Sequence, residues 1–182
     1  MYKVLAFFAD GFEEVEALAV VDLLRRADVR VDMVSIMSDK LVTGAHNIVV
    51  QCDSLIEETD FETADMIFLP GGGRGAIRLG ECKILTDYIL QYHQHGKRLA
   101  AICAAPRVFG SLGILSGKNA TCYPGFEDKL LGAKHIGGNV VTDGMITTSK
   151  GMGTSIDLGL ELVSILVSPE ESEKLGRTIQ YK

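Results

Sequence analysis

The feature that most constrains the fold is a regular alternation between short apolar runs and longer segments with helical spacing. The runs "KVLAFFA" (3–9), "DMIFL" (65–69) and "KRLAAIC" (97–103) are typical of strands buried on both faces. The segments 13–27 and 82–96 carry apolar residues at helical spacing. This alternation predicts an α/β protein with a doubly wound, mainly parallel sheet between two layers of helices.

The remaining segments extend the same pattern, without a linker or an internal repeat. We predict a strand at 29–37, a hairpin at 41–51, a helix at 105–115, a strand at 119–123, a short helix at 127–131, two strands within 139–149, a helix at 153–167 and a last helix from Pro169. We therefore expect one domain over residues 1–182.

Composition excludes several classes of partner. The net charge is −6 and the lysines and arginines are scattered, so no basic patch for nucleic acid is predicted. No apolar run approaches the length of a membrane-spanning helix, and the first residues lack a signal-peptide pattern. Four cysteines without a C-x-x-C pair favour free thiols in a reducing compartment, so we expect a cytoplasmic protein.

Three strands end next to residues of the types that proteins use for catalysis or ligand binding. The first strand leads to Asp10 and an acidic turn, the second to Pro70-Gly71-Gly72-Gly73, and the third to Cys103. In a parallel sheet these carboxyl ends lie along one edge, where doubly wound proteins bind their ligands. The sequence thus predicts that a carboxylate, a glycine loop and a thiol converge.

Cys103 stands where a strand turns sharply into a helix. Ala101 and Ala105 are small neighbours two residues away on either side, as a nucleophile elbow requires, and Pro106 suits a first helical turn. A helix N-terminus favours the thiolate. A buried structural cysteine is the alternative. The other three cysteines lack this context and are interpreted as structural: Cys52, Cys82 and Cys122.

The glycine loop has two interpretations. Gly71, Gly73 and Ala76 fit a loose dinucleotide fingerprint, but the following strand ends in Cys103 and offers no acidic residue for a ribose. The other interpretation is an exposed amide that forms an oxyanion hole together with the amide of Ala104. A plain tight turn also remains open.

Acidic residues and histidines complete the candidate site. Glu13 and Glu14 are interpreted as solvated residues that match the helix dipole, whereas Glu16 falls among apolar residues and is a candidate for a buried carboxyl with a raised pKa. Ala104 follows Cys103 where a protease-like couple would have a histidine, so a partner would have to be His46 or His135 from afar. The remaining pair, His93 and His95, points to different faces of a helix, and we predict no metal site.

The segments "GFEEVEALAVVDLLRRA", "LPGG", "AAICAAP" and "TSKGMGTS", in this order, resemble the DJ-one branch of the ThiJ/PfpI superfamily. The resemblance spans essentially the whole chain. It implies a flavodoxin-like three-layer sandwich, a homodimer and no cofactor. It implies a nucleophile at Cys103 and a protonated carboxyl at Glu16. Backbone donors at Gly72 and Ala104, with Gly71, Tyr123, Ser149 and Lys150 around the pocket, complete the implied site.

The sequence departs from the family pattern at several positions. Tyr123 stands where the best-known member has a histidine beside its cysteine, and Lys150 and His46 replace arginines. Arg26 matches an arginine that pairs across the family's dimer interface. Ala104 separates the chain from the protease-like branch, so peptidase activity is not expected.

The resemblance implies two kinds of function. In the first, a stress-response enzyme of glyoxalase or deglycase type adds Cys103 to methylglyoxal, glyoxal or early glycation adducts, and Glu16 moves the proton. In the second, the protein is a non-enzymatic redox sensor or redox-regulated chaperone that uses oxidation of Cys103.

Overall fold

The protein is described by a computed structural model over residues 1–181. The strands are β1 Lys3–Phe8, β2 Arg30–Ser35, β3 Leu41–Thr43, β4 Val49–Gln51, β5 Ser54–Leu55, β6 Met66–Leu69, β7 Arg98–Ile102, β8 Asn119–Ala120, β9 Lys134–His135, β10 Val140–Asp143 and β11 Ile146–Ser149. The helices are α1 Glu14–Arg26, α2 Gly73–Glu81, α3 Lys83–Gln94, α4 Pro106–Ser111, α5 Ser155–Leu166 and α6 Pro169–Thr178.

The central sheet is mainly parallel, as the sequence predicts. In the described part of the chain it has seven strands in the order β10-β11-β7-β6-β1-β2-β5. The pairs from β11 to β5 are parallel, and β10 pairs with β11 in antiparallel fashion. Strand order reverses around β1, which is typical of the doubly wound fold.

Two apolar cores, one on each face of the sheet, hold the three layers together. Alternate residues of β1 point to opposite faces: Leu5 and Phe7 enter the core with α2, α3 and α4, whereas Ala6 and Phe8 enter the core with α1, α5 and α6. All four side chains are fully buried. This explains why the strands are continuous apolar runs, and it confirms the flavodoxin-like three-layer sandwich.

The carboxyl ends of three adjacent strands define one edge of the sheet. β7, β6 and β1 are neighbours, and they end at Ile102, Leu69 and Phe8. Each is followed directly by one of the predicted functional loops. The register of the sheet therefore brings the thiol, the glycine loop and the first turn of α1 to one place.

Three predicted elements are shorter than expected. The short helix predicted at 127–131 is a single 3₁₀ turn, Glu127–Lys129. The helix predicted at 105–115 is α4, which ends at Ser111, and turns follow it. The strand predicted at 119–123 is reduced to β8, which pairs with β9 in a small separate sheet. None of the helices in residues 1–181 combines the length and the apolar character that a membrane crossing needs.

Candidate active site

Cys103 occupies a strained elbow between β7 and α4. Its φ is +64°, a left-handed conformation that a residue other than glycine rarely adopts. Backbone hydrogen bonds hold this conformation: the Cys103 N–H donates to the Ser149 carbonyl at 2.9 Å, and its own carbonyl accepts from the Tyr123 N–H at 2.9 Å. The elbow predicted from the small residues around Cys103 is therefore present in the structure.

Gly71 makes room for the two reactive side chains. A Cβ at this position would overlap the Glu16 carboxyl and would lie 2.5 Å from the Cβ of Cys103. The next glycine, Gly72, has a φ of +92° and lies against the backbone at Gly11. The glycine loop thus packs against the elbow and the acidic turn, in place of the cradle that a dinucleotide would need.

Glu16 is a buried carboxyl beside the thiol. Its exposed fraction is 1%. The α1 N-terminus fixes its backbone, since Glu13 caps the helix and its carboxylate accepts from the Glu16 N–H at 2.7 Å. Within residues 1–181 the Glu16 Oε2 atom is buried without a hydrogen bond of ordinary geometry. A carboxyl oxygen in this state is free to accept a proton from a neighbour.

Burial and mutual proximity shift the pKa values of both groups. Burial raises the pKa of Glu16 to about 7, although the hydrogen bond with the Cys103 thiol opposes the shift. Burial also raises the pKa of Cys103 to about 12, and the Glu16 carboxylate adds to the shift. The Ala104 amide at the N-terminus of α4 lowers the pKa of Cys103, as expected, but burial and Glu16 outweigh this contribution, so the net shift is upward.

Two backbone amides face the sulfur. The N–H groups of Gly72 and Ala104 both lower the pKa of Cys103, although burial and Glu16 dominate the net shift. Donors that stabilise negative charge on sulfur are well placed to stabilise an oxyanion on a carbon bonded to that sulfur. The structure therefore brings together the two amides that are predicted to form an oxyanion hole.

A cavity of about 670 Å³ opens over the thiol. Six of the predicted site residues line it: Cys103, Glu16, Gly72, Ala104, Tyr123 and Lys150. The two other predicted pocket residues, Gly71 and Ser149, lie behind it. Ser149 is fully buried, and its hydroxyl bonds to the Asn139 carbonyl at 2.9 Å and to the Thr154 hydroxyl at 2.7 Å. Ser149 therefore supports the elbow from the rear, and the prediction that Gly71 and Ser149 line the pocket is corrected.

Tyr123 forms an outer wall of the cavity. Its ring is about half exposed and packs edge to face on Phe126, with 6.2 Å between the ring centroids. Gly151 lies beneath it, and a Cβ at Gly151 would be 3.2 Å from the Tyr123 ring. The position supplies an aromatic surface, with no imidazole for proton transfer.

The prediction of a solvated Glu14 is wrong, and His46 lies at the cavity wall. Glu14 was expected to be solvated, yet its exposed fraction is 4%, while its apolar neighbour Val15 is 48% exposed. The buried Glu14 carboxylate accepts from the His46 N–H at 2.7 Å and contacts the His46 Nδ1 at 2.9 Å. Through this contact the loop between β3 and β4 brings His46 to the cavity wall. His135 does not line the cavity.

Within the described residues, one group of side chains has the spacing of a metal site. Ligand atoms of Glu13, Glu14 and His46 lie within 4.8 Å of one another. Each carboxylate already has a role, since Glu13 caps α1 and both oxygens of Glu14 bind the His46 loop. This arrangement explains the cluster through the protein's own hydrogen bonds.

The other predicted positions lie outside the cavity. Arg26, at the end of α1, pairs with Asp22 at 2.6 Å within its own helix. All four cysteines are free, and Cys52 and Cys122 are buried as expected of packing residues. Cys103 differs from them because its thiol reaches a cavity.

Residues 2–165 match the description DJ-1/PfpI family. The chain belongs to this family. It is 30% identical to Drosophila melanogaster protein dj-1beta, over 95% of this chain and 94% of that protein. It is 31% identical to a Caenorhabditis elegans protein named glutathione-independent glyoxalase DJR-1.2, over 90% of this chain and 87% of the relative.

The chain also shares its fold with solved structures of DJ-1 proteins. The structure of oxidized Toxoplasma gondii DJ-1 superposes with a TM-score of 0.94 at 34% identity, covering 100% of this chain and 99% of the other. Some relatives are longer: Arabidopsis thaliana protein DJ-1 homolog B is 38% identical over 96% of this chain, which spans 40% of that protein. The chain spans 45% of the related homolog A.

Proposed function

We propose that this chain is a cofactor-free stress-response enzyme of the cytoplasm that converts reactive dicarbonyls such as methylglyoxal and glyoxal to hydroxy acids. The observation that carries the proposal is the Cys103 thiol at a strained elbow, in contact with a buried Glu16 carboxyl whose pKa is about 7. A pKa near neutrality suits a group that both accepts and donates protons. The C. elegans relative named a glyoxalase supports the same class of reaction.

The first step is addition of sulfur to the aldehyde carbon. As the S–C bond forms, the thiol proton passes to the Glu16 carboxylate, and the carbonyl π electrons move to oxygen. The amides of Gly72 and Ala104 stabilise this oxyanion until Glu16 returns the proton to it. The product is a hemithioacetal on Cys103.

The second step moves a proton between neighbouring carbons. Glu16 takes the proton from the hemithioacetal carbon, which gives an enediol as the neighbouring carbonyl oxygen is protonated, and returns the proton to the adjacent carbon. The hydroxyl on the sulfur-bearing carbon loses its proton as its C=O bond forms, so the bound adduct becomes a hydroxy thioester. Water then hydrolyses the thioester, so that the hydroxy acid leaves and the thiol is restored. The same chemistry extends to early glycation adducts on proteins or nucleotides: the carbinol carbon first releases its amine or thiol, which re-forms the aldehyde, and Cys103 then adds to that aldehyde.

Replacement of the nucleophile tests the proposal most directly. We expect Cys103→Ala to lower the rate of methylglyoxal loss by roughly 10³-fold or more, because the covalent route disappears. Cys82→Ala is the matched control, since Cys82 is partly buried like Cys103 but lies outside the cavity. Full activity of Cys103→Ala would overturn the proposal.

A second candidate function is redox sensing or redox-regulated chaperone activity through Cys103. The description of the Toxoplasma relative as oxidized favours it, as does the presence of two amide donors beside the sulfur. Two molecules of hydrogen peroxide would convert the thiol to a sulfinate. Mass spectrometry after mild peroxide treatment should find oxidation at Cys103 ahead of the other cysteines; equal oxidation at all four would rule this candidate out.

We also propose that the chain acts as a homodimer, with Arg26 at the interface. The family resemblance of the segment around Arg26 supports this arrangement, and so does the exposure of Val15 on the same helix. Sedimentation analysis should give twice the chain mass of 19.7 kDa. A monomer at micromolar concentration would contradict the proposal.

A further inference from the structure

A second cavity, of about 610 Å³, adjoins the one over Cys103. The two cavities share Ala45 and Gly73 as wall residues. A Cβ at Gly73 would meet no atom within 4 Å, so the wall at this point is open. None of the steps proposed above uses the second cavity, although a molecule of modest length in the first would reach it.

Two arginines of α2 line this second cavity. Arg74 and Arg78 stand four residues apart, on the same face of the helix. The Arg78 Nη1 donates to the Asp10 carbonyl at 2.6 Å, which fixes this guanidinium at the rim. The guanidinium of Arg74 makes no hydrogen bond or ion pair with any residue from 1 to 181.

The position of these charges is unfavourable for the helix itself. Like charges four residues apart repel each other, and Arg74 stands in the first turn, at the positive end of the helix dipole. One carboxylate, that of Asp10, also lines the cavity, and its Oδ1 accepts from the Thr43 N–H at 2.9 Å. Two guanidiniums against one carboxylate leave an excess of positive charge that an anion would neutralise.

We infer that the second cavity binds an anionic group, a carboxylate or a phosphate, at the far end of the substrate whose dicarbonyl reacts at Cys103. The inference rests on the proposed function and makes α-oxoaldehydes that carry a terminal anion the preferred substrates, ahead of neutral ones such as methylglyoxal. The planar guanidinium of Arg74 offers paired N–H donors, which match the oxygens of either group. Gly73 lets the chain of the substrate pass between the two cavities.

Paired substrates provide the kinetic test. Methylglyoxal is the neutral reference, γ,δ-dioxovalerate carries the carboxylate, and hydroxypyruvaldehyde phosphate carries the phosphate. We expect Arg74→Ala to lower the ratio of kcat/KM for an anionic substrate to that for methylglyoxal by about tenfold, with the larger loss showing which anion is preferred. Arg74→Lys should retain part of this ratio because it retains the charge.

Arg177→Ala is the matched control, since it removes the same charge from an exposed helix that lines neither cavity. It should leave the ratio as in the parent protein. Arg74 is exposed and unpaired, so its replacement does not threaten folding. An identical ratio in the parent protein, Arg74→Ala and Arg78→Ala would overturn the inference.

A binding measurement separates this inference from the proposed reaction. Calorimetric titration of Cys103→Ala with γ,δ-dioxovalerate and with inorganic phosphate requires no turnover. Binding of either that weakens about tenfold in the Cys103→Ala/Arg74→Ala double variant supports the anion site, even if methylglyoxal is not a substrate of the parent protein. Turnover of methylglyoxal, together with titrations of both probes that do not depend on Arg74, would refute the anion site and leave the reaction standing.

Discussion

Glu14 and Glu16 lie in the same helical turn but contact two different regions of the protein. The pKa of Glu14 is lowered in its region, whereas the pKa of Glu16 is raised in the other. Both side chains are buried. Burial raises the pKa of Glu14, but hydrogen bonds from His46 outweigh it and hold the pKa below its ordinary value. Burial raises the pKa of Glu16 to about 7, although the hydrogen bond with the Cys103 thiol acts in the opposite direction. Burial and donor supply together thus separate a structural carboxylate from a group that exchanges protons.

Conversion of each glutamate to glutamine should give the largest contrast in activity. We expect Glu16→Gln to lower kcat/KM for methylglyoxal by roughly 10²-fold or more, because an amide cannot carry the proton. Glu14→Gln keeps an acceptor for the His46 loop and should lose much less activity. Steady-state kinetics on the two variants checks this, and equal losses would show that the two carboxyls share one role.

The same pair should show opposite effects on stability. Each pH unit between 4.5 and about 7 is worth about 1.4 kcal/mol, so ionised Glu16 costs the fold roughly 3 kcal/mol above pH 7. This cost is absent below pH 4.5, grows as the pH rises from 4.5, and is complete above about pH 7. Glu16→Gln should therefore unfold at higher urea concentration than the parent protein at pH 8, with little difference at pH 4.

Glu14→Gln should instead be less stable by about 1 kcal/mol near pH 7, because it loses the charge-assisted hydrogen bonds to His46. For a carboxyl with a lowered pKa, the stabilisation is present above the ordinary value of 4.5 and disappears as the pH falls through the folded value. Urea unfolding at both pH values measures this change. A destabilised Glu16→Gln would remove the contrast between the two sites.

Gly44 and Gly71 each lie against one of these two carboxyls, so a larger residue at either position would disturb one region and leave the other intact. A Cβ at Gly44 would overlap the Glu14 carboxyl, and a Cβ at Gly71 would overlap the Glu16 carboxyl. Each replacement by alanine should cost about 1–3 kcal/mol through overpacking. Gly71→Ala should also reduce kcat by about tenfold or more, because it separates Glu16 from Cys103, whereas Gly44→Ala should act mainly on stability. Chemical unfolding and steady-state kinetics measure the two effects.

The pH dependence of activity should give the smallest effect. If the Glu16 carboxylate is the base, kcat/KM for methylglyoxal rises with pH, by roughly tenfold between about pH 6 and about pH 8. His46 also lines the cavity, and the hydrogen bond to Glu14 raises the pKa of His46. The titration of His46 must therefore be distinguished from that of Glu16. His46→Asn should keep the profile and Glu16→Gln should flatten it; the reverse result would assign the profile to His46.

Much of the site could be predicted because a parallel sheet aligns its strand ends. Apolar runs show where β1, β6 and β7 lie, and small residues around Cys103 show that the backbone turns sharply. The burial of Glu14 could not be predicted in this way. Helical periodicity places Val15 inside and Glu14 outside, and the opposite is found because the β3–β4 loop covers the turn.

The sequence by itself determined the α/β fold and the elbow at Cys103, because local patterns of apolar and small residues reflect which strands are buried and where the chain reverses. Only the tertiary structure decided the chemical state of the site. The resting form as a thiol beside a carboxyl with a pKa of about 7 depends on burial and on which donors reach each group. These quantities arise from segments distant in the chain, so no local pattern contains them.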